Sequence, residues 1–76
     1  MTAFFELMDL TTANVVGHFA TEDEALAVVR DVVADEGRDA VEELALSRQA
    51  GGTRPTLIAA GNDLAERALA QAMASS

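Results

Sequence analysis

The chain has 76 residues, with thirteen acids against five arginines, no lysine and a formal net charge of −8. That balance leaves no basic stripe with which a direct DNA or RNA reader would displace counterions. It has no cysteine, so neither a disulfide nor a thiolate metal site can staple a small core.

Half of the residues are apolar, but sixteen of them are Ala, leaving twenty-two larger side chains to fill the interior. A core of this kind supplies only about 3–5 kcal/mol in so short a chain. Oligomerisation is the remaining device, and a homodimer is expected. No apolar run reaches the roughly 18–20 residues needed to cross a bilayer. The opening "MTAFFELMDL" has no basic start and carries Glu6 and Asp9 among its apolar residues, unlike a secretory signal. The expected partners therefore include no membrane, and the expected location is the cytoplasm. Abundant Ala and Arg without Lys resemble the coding bias of a GC-rich bacterium.

Residues 3–10, "AFFELMDL", read as a strand with Phe5 and Leu7 on one face and Phe4, Met8 and Leu10 on the other. "TTAN" follows as a turn in which Asn14 is the natural residue for a left-handed conformation. The next strand, "VVGHFA", sends Val15 and Phe19 to one side and Val16, His18 and Ala20 to the other, with Gly17 marking a bulge or a close backbone approach.

Thr21-Glu22-Asp23-Glu24 forms a capping box that starts a helix. Its three acids suit the positive end of the helix dipole. Ala25, Leu26, Val28, Val29, Val32 and Val33 share one apolar arc, whereas Arg30, Asp31 and Asp35 face away. Gly37 suits the left-handed cap beyond the helix.

The "GHFATEDEAL" junction is similar to the HicB-like antitoxin domain, which also places a hairpin before such a helix. The additional DNA-binding module that many of those antitoxins carry has no counterpart in this sequence. Capping boxes followed by "EAL" recur in unrelated helices, so the fold class is taken from the residues themselves.

"RDAVEELALSRQ" fits a short helical turn at 39–42 followed by a strand at 43–49, although a longer helix keeps a period of its own through Val41, Leu44, Ala45 and Arg48. "AGGTRP" is a loop, and "TLIAAG" is a short apolar strand in need of a partner. "NDLAERALAQAMA" reads as a helix with Asn62 as N-cap and an Ala-rich face of Leu64, Ala65, Ala68, Leu69, Ala72 and Met73. The expected fold is a single α+β domain over residues 1–76, ordered β-β-α-β-β-α without sequence repeats. A four-stranded antiparallel sheet would carry its helices on one face.

No catalytic, cofactor-binding or metal-binding residue is assigned. His18, the sole histidine, is the one side chain that could titrate near neutrality. Its strand neighbours tie it to no nucleophile, and an exposed or edge-strand histidine is the expectation. The acids show no calcium-loop pattern, and "AGGTRP" matches neither phosphate-binding glycine motif.

Nine acids and two arginines lie between Glu22 and Glu43. The outward acids Glu22, Asp23, Asp31, Asp35 and Asp39 are thus the possible surface for a basic protein partner, drawn in by electrostatic steering. Phe4, Met8, Leu10 and Val16 are the possible dimer interface. The expected function is a small acidic, non-catalytic protein-interaction module acting as a homodimer. The alternatives are an acidic neutraliser of a basic partner, antitoxin-like or a mimic of nucleic-acid charge, and a small-molecule-binding domain.

Overall fold

In the computed structural model, residues 3–52 and 54–75 are described. The chain runs β1 (Phe4–Asp9), β2 (Asn14–Phe19), α1 (Glu22–Glu36), a 3-10 helix (Arg38–Glu43), β3 (Leu44–Gln49), β4 (Thr56–Ala60) and α2 (Gly61–Ser75). All three strand pairings are antiparallel, in the order β2-β1-β3-β4. The expected α+β fold is present, with both helices on one face of the sheet.

Alternation explains the two faces. Leu7 on β1, Leu44 and Leu46 on β3 and Ala59 on β4 are buried towards the helices, which return Ala25, Leu26 and Val29 from α1 and Leu64, Ala65 and Ala68 from α2. Val41 of the 3-10 helix closes this core, and Phe5, Phe19, Val28, Val32, Val33 and Ile58 pack around it. The other sheet face has no covering layer among the described residues. The molecule is accordingly a slab, 35 × 31 × 16 Å.

The α1 cap forms in part: the Thr21 hydroxyl accepts from the Glu24 N–H at 3.2 Å, without the return bond from the Glu24 carboxylate. Gly37 takes a positive φ of +91° but with ψ 168°, so it ends the helix in an extended glycine conformation rather than the expected left-handed helical one, and its N–H donates to the Val33 carbonyl at 2.9 Å.

Several sequence expectations are corrected. Ala13, not Asn14, takes the positive φ of the first turn, and Asn14 already belongs to β2. Leu10 leaves the strand: it lies in the turn, and its N–H donates to the Glu43 carbonyl at 2.7 Å. Asn62 does not cap α2, because the helix starts one residue earlier at Gly61. That glycine has φ +58°, which lets β4 turn into the helix with no intervening linker. Asn62 instead accepts from Arg38 Nη2 at 2.6 Å. Leu69 and Met73 are exposed rather than part of the buried Ala-rich face. Thr53, in the expected "AGGTRP" loop, lies outside the described residues.

The facing of β2 also changes. Leu7 pairs with Gly17 but Met8 pairs with Val15, so Val16 is the additional residue of a bulge. Val15 therefore lies opposite Met8 on the uncovered face, while Val16 turns to the helix side, where it lines a cleft with Val32.

Candidate functional site

Two surfaces are available, and they differ in chemistry. The first is the uncovered sheet face. Pairing from β2 to β4 sets Val15 beside Met8 and Ala45, His18 beside Glu6 and Ser47, and Leu57 beyond Ser47. Phe4 and Ala60 share this face by alternation. Phe4 is 39% exposed, Val15 45% and Leu57 63%. At a strand spacing of about 4.8 Å and a rise of about 3.3 Å per residue, four strands of this length project an area of roughly 400 Å². Even taken whole, that lies within the roughly 300–600 Å² of the largest apolar patch on a typical monomer, and Glu6, His18, Ser47 and Gln49 take a share of it.

Only one of the thirteen acids is placed on that face by the strand pairing, and it has a partner. Glu6 Oε2 lies 3.1 Å from His18 Nε2, across a register pair of β1 and β2. The Phe4 ring meets the imidazole edge-on, with centroids 5.3 Å apart and an interplanar angle of 89°, a geometry favoured by the ring quadrupole. His18 is thus an exposed edge-strand residue, as expected, but not an isolated one. The alternating pattern marks Glu6 only as an interruption. The register needed to pair it with His18 depends on the Val16 bulge, which the sequence signals only through Gly17. A Cβ on Gly17 would lie 3.1 Å from the Phe19 ring, so the close approach read from that glycine is present.

Of the four expected dimer-interface residues, the structure gathers Phe4 and Met8 on this face. It moves Leu10 into the turn and Val16 to the helix side. Val15 and Leu57 take their place. The Leu57 contribution was hidden because a second bulge, at Ile58, decides which β4 residues face outward: Leu46 pairs with Ala59 but Ser47 pairs with Leu57.

The second surface is the helix layer. Asp23, Asp31, Asp35 and Asp39 are exposed there. Glu22 is tied to α2 instead: Arg67 Nε and Nη2 donate to its two carboxylate oxygens at 3.3 and 3.4 Å. Between α1, the 3-10 helix and the sheet lies a cleft of about 270 Å³, lined by Val16, Val32, Ala40 and Leu44 and by Asp9, Glu36 and Glu43. Asp9 is far in sequence from Glu36 and Glu43, and no local motif announces the three together. Asp9 is partly engaged, accepting from the Thr11 N–H at 2.9 Å. Among the described residues no group of three or more His, Asp or Glu side chains is placed to hold a metal ion. Nor is any described helix long and apolar enough to cross a membrane.

No protein-family model, curated protein sequence or solved structure matches the chain.

Proposed function

We propose that this protein is a small non-catalytic interaction module that works as a homodimer, its two sheets packed face to face. The observation that carries this reading is the uncovered face itself, on which Phe4, Met8, Val15 and Leu57 lie exposed or half-buried together with the hydrogen-bonded Glu6–His18 pair.

Charge favours a second copy docked through this face over any approach through the helix layers. Any approach through the helix layers would bring strongly acidic surfaces together. In a helix–sheet–sheet–helix sandwich the layers are about 10 Å apart, putting the two acidic surfaces some 30 Å from one another, well beyond the screening length of about 8–10 Å at moderate salt. Edge-to-edge pairing is the poorer route, because both edge strands, β2 and β4, carry a bulge that interrupts the ladder a neighbour would extend. A twofold pairing uses the same face on both chains, so no foreign surface is required. The patch is small for a stable interface, so a weak, concentration-dependent dimer is the expectation.

Sedimentation velocity from about 1 to 200 µM tests the reading. A dimer should form, and Leu57→Glu or Val15→Glu should abolish it while leaving the far-ultraviolet circular dichroism spectrum unchanged, since both side chains are exposed. A wild-type monomer across that range would overturn it.

A second reading follows from the acids that such a dimer would display on both outer faces. Exposed Asp23, Asp31, Asp35 and Asp39 suit a basic protein partner, whose neutralisation would be the module's role. Binding would weaken steeply with salt, and a salt-insensitive complex would count against it.

A further inference from the structure

We propose that the Glu6–His18 pair makes this face-to-face association pH-dependent, tight when His18 is protonated and weak when it is neutral. The inference rests on the dimer proposed above and adds its regulation.

The pair lies midway along the strands, on the β2–β1 side of the face. Glu6 stands on the inner strand β1, His18 opposite it on β2 and Ser47 opposite it on β3, with Leu57 beyond. His18 Nε2 and Glu6 Oε2 are 3.1 Å apart and Phe4 covers the imidazole from the side. Covering this face with a second sheet removes water from both groups. With the imidazole protonated, what is covered is a hydrogen-bonded ion pair with no net charge. With the imidazole neutral, a carboxylate charge is covered with only a neutral donor beside it, and the twofold partner brings a second such carboxylate into the same dry layer. Desolvation of an uncompensated charge is the costlier case.

The strand pairing places no other charged side chain on this face. On β3 the residues sharing it are Ala45, Ser47 and Gln49, and on β4 they are Leu57 and Ala60. Asp9 and Arg48 belong to the helix side of the sheet, opposite Leu44 and Phe5 respectively. The second copy contributes only its own Glu6 and His18.

The sign follows from linkage. Association raises the affinity of the imidazole for its proton, so the contribution to dimer stability is fully present at low pH and lost as pH rises through the imidazole range. Repulsion between carboxylates is governed by a titration range that ordinarily lies below that of imidazole, so it does not produce the same trend.

Dimer dissociation constants at pH 5.5 and pH 8, by sedimentation equilibrium, test the inference on the wild type, His18→Gln and Glu6→Gln. The wild type should dissociate about tenfold or more readily at pH 8. His18→Gln should be flat to within about twofold. Glu6→Gln should reverse the trend, because the charge left to be covered is then the imidazolium, present only at low pH. A wild-type dimer whose constant is the same at both pH values overturns the switch and leaves the dimer standing. So does a trend that survives in His18→Gln. A monomer at both pH values overturns the dimer and the switch together.

Discussion

The two halves of the molecule have the same architecture and different chemistry. β1, β2 and α1 form one hairpin-and-helix unit, and β3, β4 and α2 form the other; the two meet at the antiparallel β1–β3 ladder, in which Leu7 pairs with Leu46 between Glu6↔Ser47 and Met8↔Ala45. Each second strand carries a bulge at a matching place, Val16 in one half and Ile58 in the other. Each helix is 15 residues long and, among the described side chains, buries three at the same spacing: Ala25, Leu26 and Val29 in α1, and Leu64, Ala65 and Ala68 in α2. The halves are thus related by a pseudo-twofold axis through the Leu7–Leu46 pair, although their sequences do not repeat. Burial at the right spacing is what they share. Turns, caps and surface charge are free to diverge.

If the axis is real in energetic terms, Leu7→Ala and Leu46→Ala should cost nearly the same. Both side chains are fully buried, and each truncation should remove about 3 kcal/mol. That is close to the whole stability of so small a domain. Urea denaturation at a fixed protein concentration checks both values, and a difference above about 1.5 kcal/mol would break the equivalence.

The helix starts should separate the halves. α1 begins with a side-chain cap, α2 with the positive-φ Gly61. Thr21→Ala should lose about 1 kcal/mol by removing the acceptor for Glu24 N–H. Gly61→Ala should lose a comparable amount, about 1 kcal/mol, by a different cause: backbone strain at φ +58°. Steric exclusion is not the cause, since the added Cβ would sit at an ordinary 3.5 Å from the Glu42 carbonyl oxygen. Gly61→Asn should therefore recover part of that loss, whereas Thr21→Ser should recover most of the other.

The smallest contrast lies in the turns. The second hairpin uses Gly52 at φ +81°, but the first places Ala13 at φ +58°. Ala13→Gly should stabilise the protein by a few tenths of a kcal/mol, because relief of strain is partly offset by the greater freedom of glycine in the unfolded chain. A rise in thermal midpoint of about 1–3 °C is the expected signature.

The same comparison explains how much the sequence disclosed. α1 was legible because its signals agree: a Thr-x-x-Glu start, a valine face and a closing glycine. α2 was legible as a helix but not at its entrance, since Gly61 acts through a backbone angle whereas Asn62 offers the more familiar cap chemistry. The four strands are legible in the sequence, including β3 after a short helical turn. Facing was not, because one additional residue at Val16 or Ile58 resets the alternation locally. The candidate surface was therefore half-legible. Phe4 and Met8 stand on the inner β1 strand, where pairing to β3 is regular, while Val15, Leu57 and the Glu6–His18 contact depend on edge-strand register.

The β1–β3 ladder also bears on how the chain reaches this structure. It joins β1 to a strand that follows only after β2, α1 and the 3-10 helix, so the first hairpin and helix hold only half a core, and the inner edge of β1 waits for β3. Local helix and hairpin formation can run ahead. Completion of the core requires the long loop to close, and topologies that defer their reward in this way fold more slowly than ones built from neighbouring contacts. The barrier should therefore reside in bringing Leu7 against Leu46, the one meeting to which both halves contribute alike.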